Sequence, residues 1–255
     1  MGFIGERIAW RRGAGLMLAF ALAGLLSACG GRPPALDIND PHEAVNRAWF
    51  DANLALQSIG PETGPEATPP SEAALGARRL VRNFGANLSV PGTVVNNLLQ
   101  FRLDRAVENT LRFAINSTIG LGGLFDPAGS IGLHGRYSDF GETLYTWGFD
   151  EGAYLVLPVI GPSTERDALG LVVDVFLDPW NHFAVTRPEY RATVAARWAG
   201  RYGDLLEYSD LFDANVMQSA DPYVQARLLF LQARRYHLGI ESEDDFIDPY
   251  ADFLD

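Results

Sequence analysis

The stretch Glu165–Asp178 reads ERDALGLVVDVFLD, and it decides the fold class. Apolar residues at most of its positions predict a helix that is buried, or that faces lipid, on most sides. Four of its other positions recur every three or four residues and fall on one narrow stripe of that helix: Asp167, Gly170, Asp174 and Asp178. A carboxylate within such a helix is costly unless it faces partners or water, so the stripe is a candidate site.

The stripe supports two interpretations. In the first, Asp167 and Asp174 line a wet passage, with Arg166 as a further candidate lining residue. In the second, the carboxylates pair with arginines at the surface of the domain. The spacing of the residues leaves both interpretations open.

Similar helical spacing recurs before and after this stretch and predicts a mainly α protein. Residues that commonly cap helices precede several of the patterns: Asp40, Ser71, Asp104 and Asp221. Pro91 is expected to end or kink the second helix, and Gly239 to end the last one. Further helices are expected at 164–178, 189–208 and 222–237.

Glycine is dense between residues 120 and 162, where aromatic residues alternate with it. This composition predicts a glycine-rich loop or a small hairpin. Because the segment lies between helical regions, it is a candidate lid or gating loop, with Gly141, Gly148 and Gly152 as the candidate gating residues. The alternative is a glycine-rich connection with no role.

The only cysteine, Cys29, follows an apolar run at 16–26 that three arginines precede. A positive start, an apolar stretch and small residues before the cut are typical of a secretory signal, so residues 1–28 are expected to be a signal peptide. The sequence Leu-Ser-Ala-Cys that ends at Cys29 resembles the bacterial lipobox, whose cysteine receives a diacylglycerol before the chain is cut. Cys29 is therefore the candidate lipid-attachment residue, carrying a diacylglycerol and an N-acyl chain, and 29–39 are expected to form a tether. The alternative is a signal peptide with an incidental cysteine.

Charge and hydropathy limit the partners. The formal net charge is −12, and all 20 basic residues are Arg. A chain with this much negative charge is a poor ligand for nucleic acid and for anionic lipid. Any contact with a membrane must therefore be mainly hydrophobic. No second stretch is apolar enough to span a bilayer, and residues 240–255 are expected to be a solvated acidic tail.

The sequence does not predict an enzyme. The four histidines are scattered, without the spacing that metal ligands need. No Gly-x-Ser-x-Gly elbow, phosphate-binding loop or dinucleotide fingerprint occurs. We therefore expect no catalytic residues, no metal and no cofactor apart from the acyl chains on Cys29.

Several blocks of sequence, taken in order, resemble the MlaA (VacJ) lipoprotein family. They are Asp40–Phe50, Asn83–Gln100, Arg112–Asp126, Asp139–Asp167 and Ser219–Tyr223. Two places depart from the family pattern. Residues 57–71 are rich in Pro, Gly and Thr, and Phe101-Arg102 stands where Gly is common.

The resemblance implies a single domain at 40–239, a ring of amphipathic helices within the periplasmic side of the Gram-negative outer membrane. Such proteins move misplaced phospholipids inward through a central passage. Their partners are phospholipid, a trimeric outer-membrane porin and a soluble periplasmic lipid carrier. The alternative function is a structural or surface lipoprotein that acts in adhesion, spreading or envelope assembly.

Overall fold

Helices make up most of the structure, and the predicted mainly α fold is confirmed. The computed structural model describes residues 38–57, 71–183, 187–207 and 216–240. Within these ranges the helices are α1 (Glu43–Gln57), α2 (Glu72–Leu99), α3 (Leu103–Thr118), α4 (Pro127–Ser130), α5 (Phe140–Thr146), α6 (Glu165–Leu177), α7 (Pro179–Phe183), α8 (Arg187–Glu207) and α9 (Pro222–Leu238). The predicted small hairpin is present, with β1 (Tyr154–Leu157) antiparallel to β2 (Gly161–Thr164).

The helix ends show how the sequence starts and stops each element. Ser71 caps α2 by accepting a hydrogen bond from the Ala74 amide at 3.3 Å, and Thr164 and Asp221 cap α6 and α9 in the same way. Gly239 ends α9 with a φ of 72°, a conformation that favours glycine. Cys29, the predicted signal peptide and the acidic tail from residue 241 lie outside the described residues.

The α2 helix does not end at Pro91 but continues through it to Leu99, which rules out one of the two predicted effects; a kink at Pro91 stays a prediction. Proline removes one backbone donor, which normally destabilises a helix interior. Tertiary contacts offset that loss on both sides of the proline. The Trp180 indole donates to the Leu88 carbonyl at 2.7 Å, and the turn after Pro91 is buried at Thr93.

Pairs of glycines allow two helix crossings at very short range. A Cβ at Gly170 of α6 would lie 2.3 Å from the amide nitrogen of Gly141 in α5. A Cβ at Gly85 of α2 would lie 2.7 Å from the Ala196 carbonyl oxygen of α8, with Gly200 alongside. Backbones approach this closely only where side chains are absent. Gly141 therefore belongs to a helix contact and not to the loop that the sequence predicted.

A second correction concerns Asp40, which does not cap α1. Its carboxylate instead accepts hydrogen bonds from Asn46 at 2.8 Å, from the Tyr223 hydroxyl at 2.5 Å and from Arg227. Burial alone would raise the pKa of Asp40, but the hydrogen bonds from Tyr223, Arg227 and Asn46 lower it below its usual value. The residue therefore links the start of the domain to its last helix. A smaller correction is that Asp104 lies inside the first turn of α3.

Asn46 continues this link into the hairpin. Its side-chain amide donates to the Tyr154 carbonyl at 3.0 Å and accepts from the Val156 amide at 2.9 Å. One side chain thus satisfies two backbone groups on the outer edge of β1, as a neighbouring strand would. Arg47, the next residue, forms a bidentate ion pair with Asp221 at the start of α9.

The hydrophobic core lies against this link. It consists of Phe50, Tyr154, Val156, Val216, Tyr223, Ala226 and Leu231. The Tyr223 ring meets both Phe50 and Tyr154 edge to face, at centroid distances of 5.8 and 6.2 Å. The first helix, the hairpin and the last helix therefore share one apolar cluster.

A buried carboxylate holds the middle of the fold. The Glu142 side chain of α5 is 1% exposed and pairs with Arg102, with Arg105 at 3.7 Å and with His237 at 3.4 Å. Burial alone would raise the pKa of Glu142, but hydrogen bonds from His237, Ser138 and Arg102 outweigh it and lower the pKa to about 2. The charged form is therefore the one that the fold stabilises.

We predict that Asn46→Ala lowers the free energy of unfolding by about 2 to 4 kcal/mol, because it orphans buried backbone groups of β1. Asn53→Ala is the matched control: Asn53 makes the same pair of contacts with Leu157 and Val159 farther along the hairpin, where they are more exposed. Its cost should stay below about 1 kcal/mol. Denaturant titration measures both, and equal losses would contradict the role of Asn46.

We also predict a pH dependence from Glu142. Its pKa is near 4.5 in the unfolded chain and about 2 in the fold, so its stabilisation is complete above pH 4.5 and is lost as pH falls towards 2. Glu142→Gln should lower stability at pH 7 by about 3 kcal/mol and flatten the loss between pH 4.5 and 2. Glu72→Gln, which removes an exposed charge, should change neither. Parallel acid curves for wild type and Glu142→Gln would overturn this assignment.

Candidate functional site

A cavity of about 190 Å³ opens between α2, α6 and α8. Polar side chains from these helices and the segments beside them form much of its lining: Ser89, Thr93, Asn96, Ser138, Asp174, Asp178 and Arg197. Tyr137 and Trp198 are the aromatic members of the lining. The cavity is large enough to hold several water molecules.

Asp174 lies on this lining in a fixed orientation. One carboxylate oxygen accepts from the Asn96 amide at 2.8 Å, and the other accepts from the Phe140 backbone nitrogen at 3.0 Å. A second carboxylate, Asp178, is paired with Arg197 on the same wall. The cavity therefore combines charged and hydrogen-bonding groups with apolar side chains such as Leu171, Val175 and Val194.

Asp167 lies elsewhere, although it shares the stripe with Asp174. Its two oxygens accept from Arg234 at 2.8 Å each, and Arg234 also binds Asp139 at 2.8 and 3.0 Å. Burial opposes the charge of Arg234, but the hydrogen bonds to Asp139 and Asp167 and their charges raise the pKa of the arginine above its usual value. The structure therefore supports the second interpretation for Asp167, because the residue pairs with an arginine, and the Asp167–Arg234 pair is mostly buried.

Arg166 is not among the residues that line this cavity. Its side chain is buried, lies over the Tyr145 ring at 5.5 Å and contacts Asp167 at 3.3 Å. Of the three candidate passage residues, the structure brings only Asp174 to the cavity wall. Asp178, which the sequence stripe also contained, joins it there.

The three candidate gating glycines also lie in different environments: Gly141 is in a helix contact, and the other two are in a connection. Gly148 and Gly152 lie after α5, with φ values of 92° and 75°, in the irregular connection that leads to the hairpin. Gly152 packs against Glu165, since a Cβ there would lie 2.5 Å from a carboxylate oxygen. A gating role for this connection stays a prediction.

A chain of buried hydrogen bonds leads away from the cavity. Asn96 accepts from the Thr143 hydroxyl at 2.9 Å, and Gln100 donates to Thr143 at 2.9 Å and to Ser138 at 2.7 Å. We call these four residues the polar seam. Sequence reasoning missed it, although Asn96 of α2 and Gln100, which directly follows α2, extend a polar stripe at helical spacing: Ser89, Thr93, Asn96 and Gln100.

Two helices of the domain expose apolar stripes. On α1, Asn46 points inward while Val45, Trp49 and Leu56 are exposed. On α3, Asn109 is buried while Leu103, Val107 and Leu111 are exposed at a spacing of four residues. The apolar stripes therefore face outward, the reverse of a helix that packs on a water-soluble core.

Three turns present apolar residues in an unusual way. Phe101, Leu121 and Val159 are the only described non-glycine residues with a positive φ, and they are 87%, 65% and 70% exposed. We call them the turn tips. A left-handed backbone raises the conformational free energy of a residue with a Cβ by roughly 1 to 2 kcal/mol. Because these side chains are exposed, hydrophobic burial within the protein does not offset that energy.

The described residues set limits on other chemistry. They contain no group of three or more His, Cys, Asp or Glu side chains that could hold a metal ion. No helix among them is long and apolar enough to cross a membrane.

Comparisons with known proteins agree with this architecture. The family model described as MlaA lipoprotein matches residues 38–237. An uncharacterized protein of Rickettsia felis is 34% identical over 216 residues, which cover 80% of this chain and 81% of that protein. The intermembrane phospholipid transport system lipoprotein MlaA of Haemophilus influenzae is 29% identical over 186 residues, which cover 66% of this chain and 68% of the relative.

A solved structure shares the fold. It comes from a study of the structural basis for maintenance of bacterial outer membrane lipid asymmetry. Its sequence identity to this chain is 27% and the TM-score is 0.60, with 78% of this chain and 98% of that chain covered. From the family model and the relatives, this chain belongs to the MlaA lipoprotein family.

Proposed function

We propose that this protein moves phospholipids from the outer leaflet of the outer membrane to a soluble periplasmic carrier, and that it works beside a trimeric porin. The observation that carries the proposal is the polarity of the domain away from its hydrophobic core. There the polar seam and the carboxylate of Asp174 lie between helices, and α1 and α3 expose apolar stripes. A lipid head group can then follow polar side chains while its acyl chains stay in apolar surroundings.

The same polarity supports a position within one leaflet. Helices with an exposed apolar face bind in the plane of a membrane, and their affinity grows with the apolar area that they bury there. The exposed stripes of α1 and α3 supply such area, and the turn tips extend it. Burial of the Phe101, Leu121 and Val159 side chains in lipid offsets the free energy that their left-handed backbone conformation costs.

Lipid attachment at Cys29 completes this placement. Each buried acyl methylene contributes about 0.8 kcal/mol to membrane binding, so two or three chains give a stable anchor. In this proposal the anchor fixes the protein to the periplasmic face of the outer membrane, and the helices set its depth. The movement of lipid breaks no covalent bond, so it needs neither a catalytic residue nor a cofactor.

The transport proposal has a direct cellular test. Deletion of the gene should raise phospholipid in the outer leaflet and sensitivity to detergent, and the wild-type gene should restore both. Asp174→Leu should fail to restore them, because it removes a charged group from the cavity wall. Asp51→Leu, which removes an exposed carboxylate of α1, should restore them fully.

The amount of protein in the cell and its circular dichroism spectrum distinguish loss of transport from loss of folding. Asp174→Leu must accumulate and fold like wild type for its failure to count as loss of transport. An intact barrier in the deletion strain would overturn the transport function. Surface adhesion lost in the same strain would favour the adhesion alternative.

The turn tips give a second prediction, in which membrane binding and stability move in opposite directions. Phe101→Asn should raise the free energy of unfolding by up to about 1 kcal/mol, because Asn tolerates the left-handed backbone. It should weaken vesicle binding about tenfold, because a large apolar side chain is lost. Flotation of the Cys29→Ser mature chain with phospholipid vesicles isolates this contribution from the anchor.

Phe101→Leu is the control for apolarity. It keeps an apolar side chain at the same backbone conformation, so its vesicle binding should stay within about threefold of the parent chain. Vesicle binding that Phe101→Asn leaves unchanged would show that this tip does not contact lipid.

A further inference from the structure

An apolar groove lies on the outside of the domain, where α2 is followed by α3. Its volume is about 350 Å³. Aliphatic side chains from the end of α2 and the first part of α3 line it: Val94, Leu98, Leu103, Ala106, Val107 and Leu111. We call this surface the aliphatic groove.

The aliphatic groove offers a ligand almost no hydrogen bonds. Thr110 is the one polar residue of its lining among the described residues. The Thr110 hydroxyl donates to the Ala106 carbonyl at 2.7 Å within α3, so its proton is already used. An ammonium, phosphate or hydroxyl group that entered the groove would lose hydrogen bonds to water and gain few in return. The lining therefore suits a hydrocarbon ligand.

The rest of the described protein leaves the groove open. Leu103 and Val107, which form one side of it, are 61% and 59% exposed. The turn tip Phe101 lies in the short connection between the two lining helices and is also exposed. The groove is thus continuous with a surface that we assign to membrane contact.

The size of the groove matches one acyl chain. From Leu103 to Leu111, α3 rises about 12 Å. The hydrocarbon of one leaflet is about 15 Å deep, which is half of the bilayer core. The volume lies at the lower end of the range for small-molecule sites.

A protein partner fits the groove less well. Protein interfaces of standard size use about 20 to 30 residues on each side and are enriched in Tyr, Trp and Arg. The lining consists of seven residues, and none of them is of these three types. Both walls are helices, so they present no strand edge to which a peptide could add.

We propose that the aliphatic groove binds one acyl chain of a bilayer phospholipid, which lies between α2 and α3. The chain leaves one hydrocarbon environment for another, so close packing against the aliphatic side chains sets its preference for the groove. This inference goes beyond the proposed function. It rests on the proposed membrane position but does not require that the protein moves lipid.

Photo-cross-linking tests the location of the bound chain. The full acylated protein in nonionic detergent micelles receives increasing amounts of a phosphatidylcholine that carries a diazirine in one acyl chain. We expect labelling of residues 94–111 to saturate and to exceed labelling of α1 at least about fivefold. A fivefold preference corresponds to about 1 kcal/mol, which roughly five to ten extra carbon contacts supply.

A matched pair of variants separates the groove from general membrane contact. Val107→Trp fills the groove but keeps the surface apolar, so it should lower the labelling of residues 94–111 at least about fivefold and leave vesicle flotation unchanged. Val45→Trp on α1 makes the same exchange at a residue of equal exposure, 58% against 59%. It should change neither measurement. Circular dichroism confirms that both variants fold.

Several outcomes would overturn the groove as a phospholipid site. They are equal labelling of α1 and residues 94–111, labelling that does not saturate, and labelling that survives Val107→Trp. Labelling that appears only in the Cys29→Ser chain would identify the protein's own anchor as the occupant. A concentration-dependent dimer that Val107→Trp abolishes would identify a second copy.

The groove and the transport function fail in different experiments. A chain that restores the barrier but takes no saturable label refutes only the groove. A chain that takes the label while deletion of its gene leaves the barrier intact refutes only the transport.

Discussion

The hydrogen bonds of Asn46 hold together parts of the chain that are more than a hundred residues apart. Its side chain completes the outer edge of β1, and its neighbours Asp40 and Arg47 bind residues of α9 and of the turn before it. The apolar cluster of Phe50, Tyr154 and Tyr223 lies against these contacts, so the hydrogen bonds and the core packing support each other. The first and last blocks of the family pattern are thus two halves of one structural unit.

A polar interior requires this kind of contact throughout the domain. Amides such as Asn96 and Asn116 are buried and must find partners inside the protein. They do so through helix-to-helix and helix-to-loop hydrogen bonds, while glycines allow the backbones to approach. Apolar residues that do not join the core, such as Leu103, Val107 and Leu111 of α3, are exposed. This division resembles helix packing in membranes, where lipid gives little hydrophobic drive for association.

Sequence periodicity predicted the helices well, because caps such as Ser71 and Asp221 act locally. It did not predict the direction of their faces. The apolar stripe of Val45, Trp49 and Leu56 is exposed, whereas Phe50 of the same helix lies in the core. A periodic pattern identifies two sides of a helix and not which of them faces the protein.

The candidate site shows the same limit. Helical spacing placed Asp167 and Asp174 on one stripe, and both do lie on α6. Their environments differ because α9 brings Arg234 to the first and α2 brings Asn96 to the second. Neither partner is near α6 in sequence, so no local pattern could assign them. The polar stripe of Ser89, Thr93, Asn96 and Gln100, along α2 and its C-terminal cap, is visible in the sequence. Which residues it contacts depends on the helices packed against it.

The position of Gly141 constrains how any opening of the cavity can occur. Its close contact with Gly170 places the first turn of α5 against α6, where the Phe140 amide binds Asp174. A movement of α5 would therefore break the hydrogen bond that orients the cavity carboxylate. It would also separate Glu142 from its buried partners. The connection after α5, from Gly148 to Gly152, does not carry these two contacts, but it is held by its own, since Glu151 pairs with Arg235 at 2.9 Å and Gly152 packs against Glu165. A movement of this connection would therefore break the Glu151–Arg235 ion pair and leave the orientation of Asp174 intact.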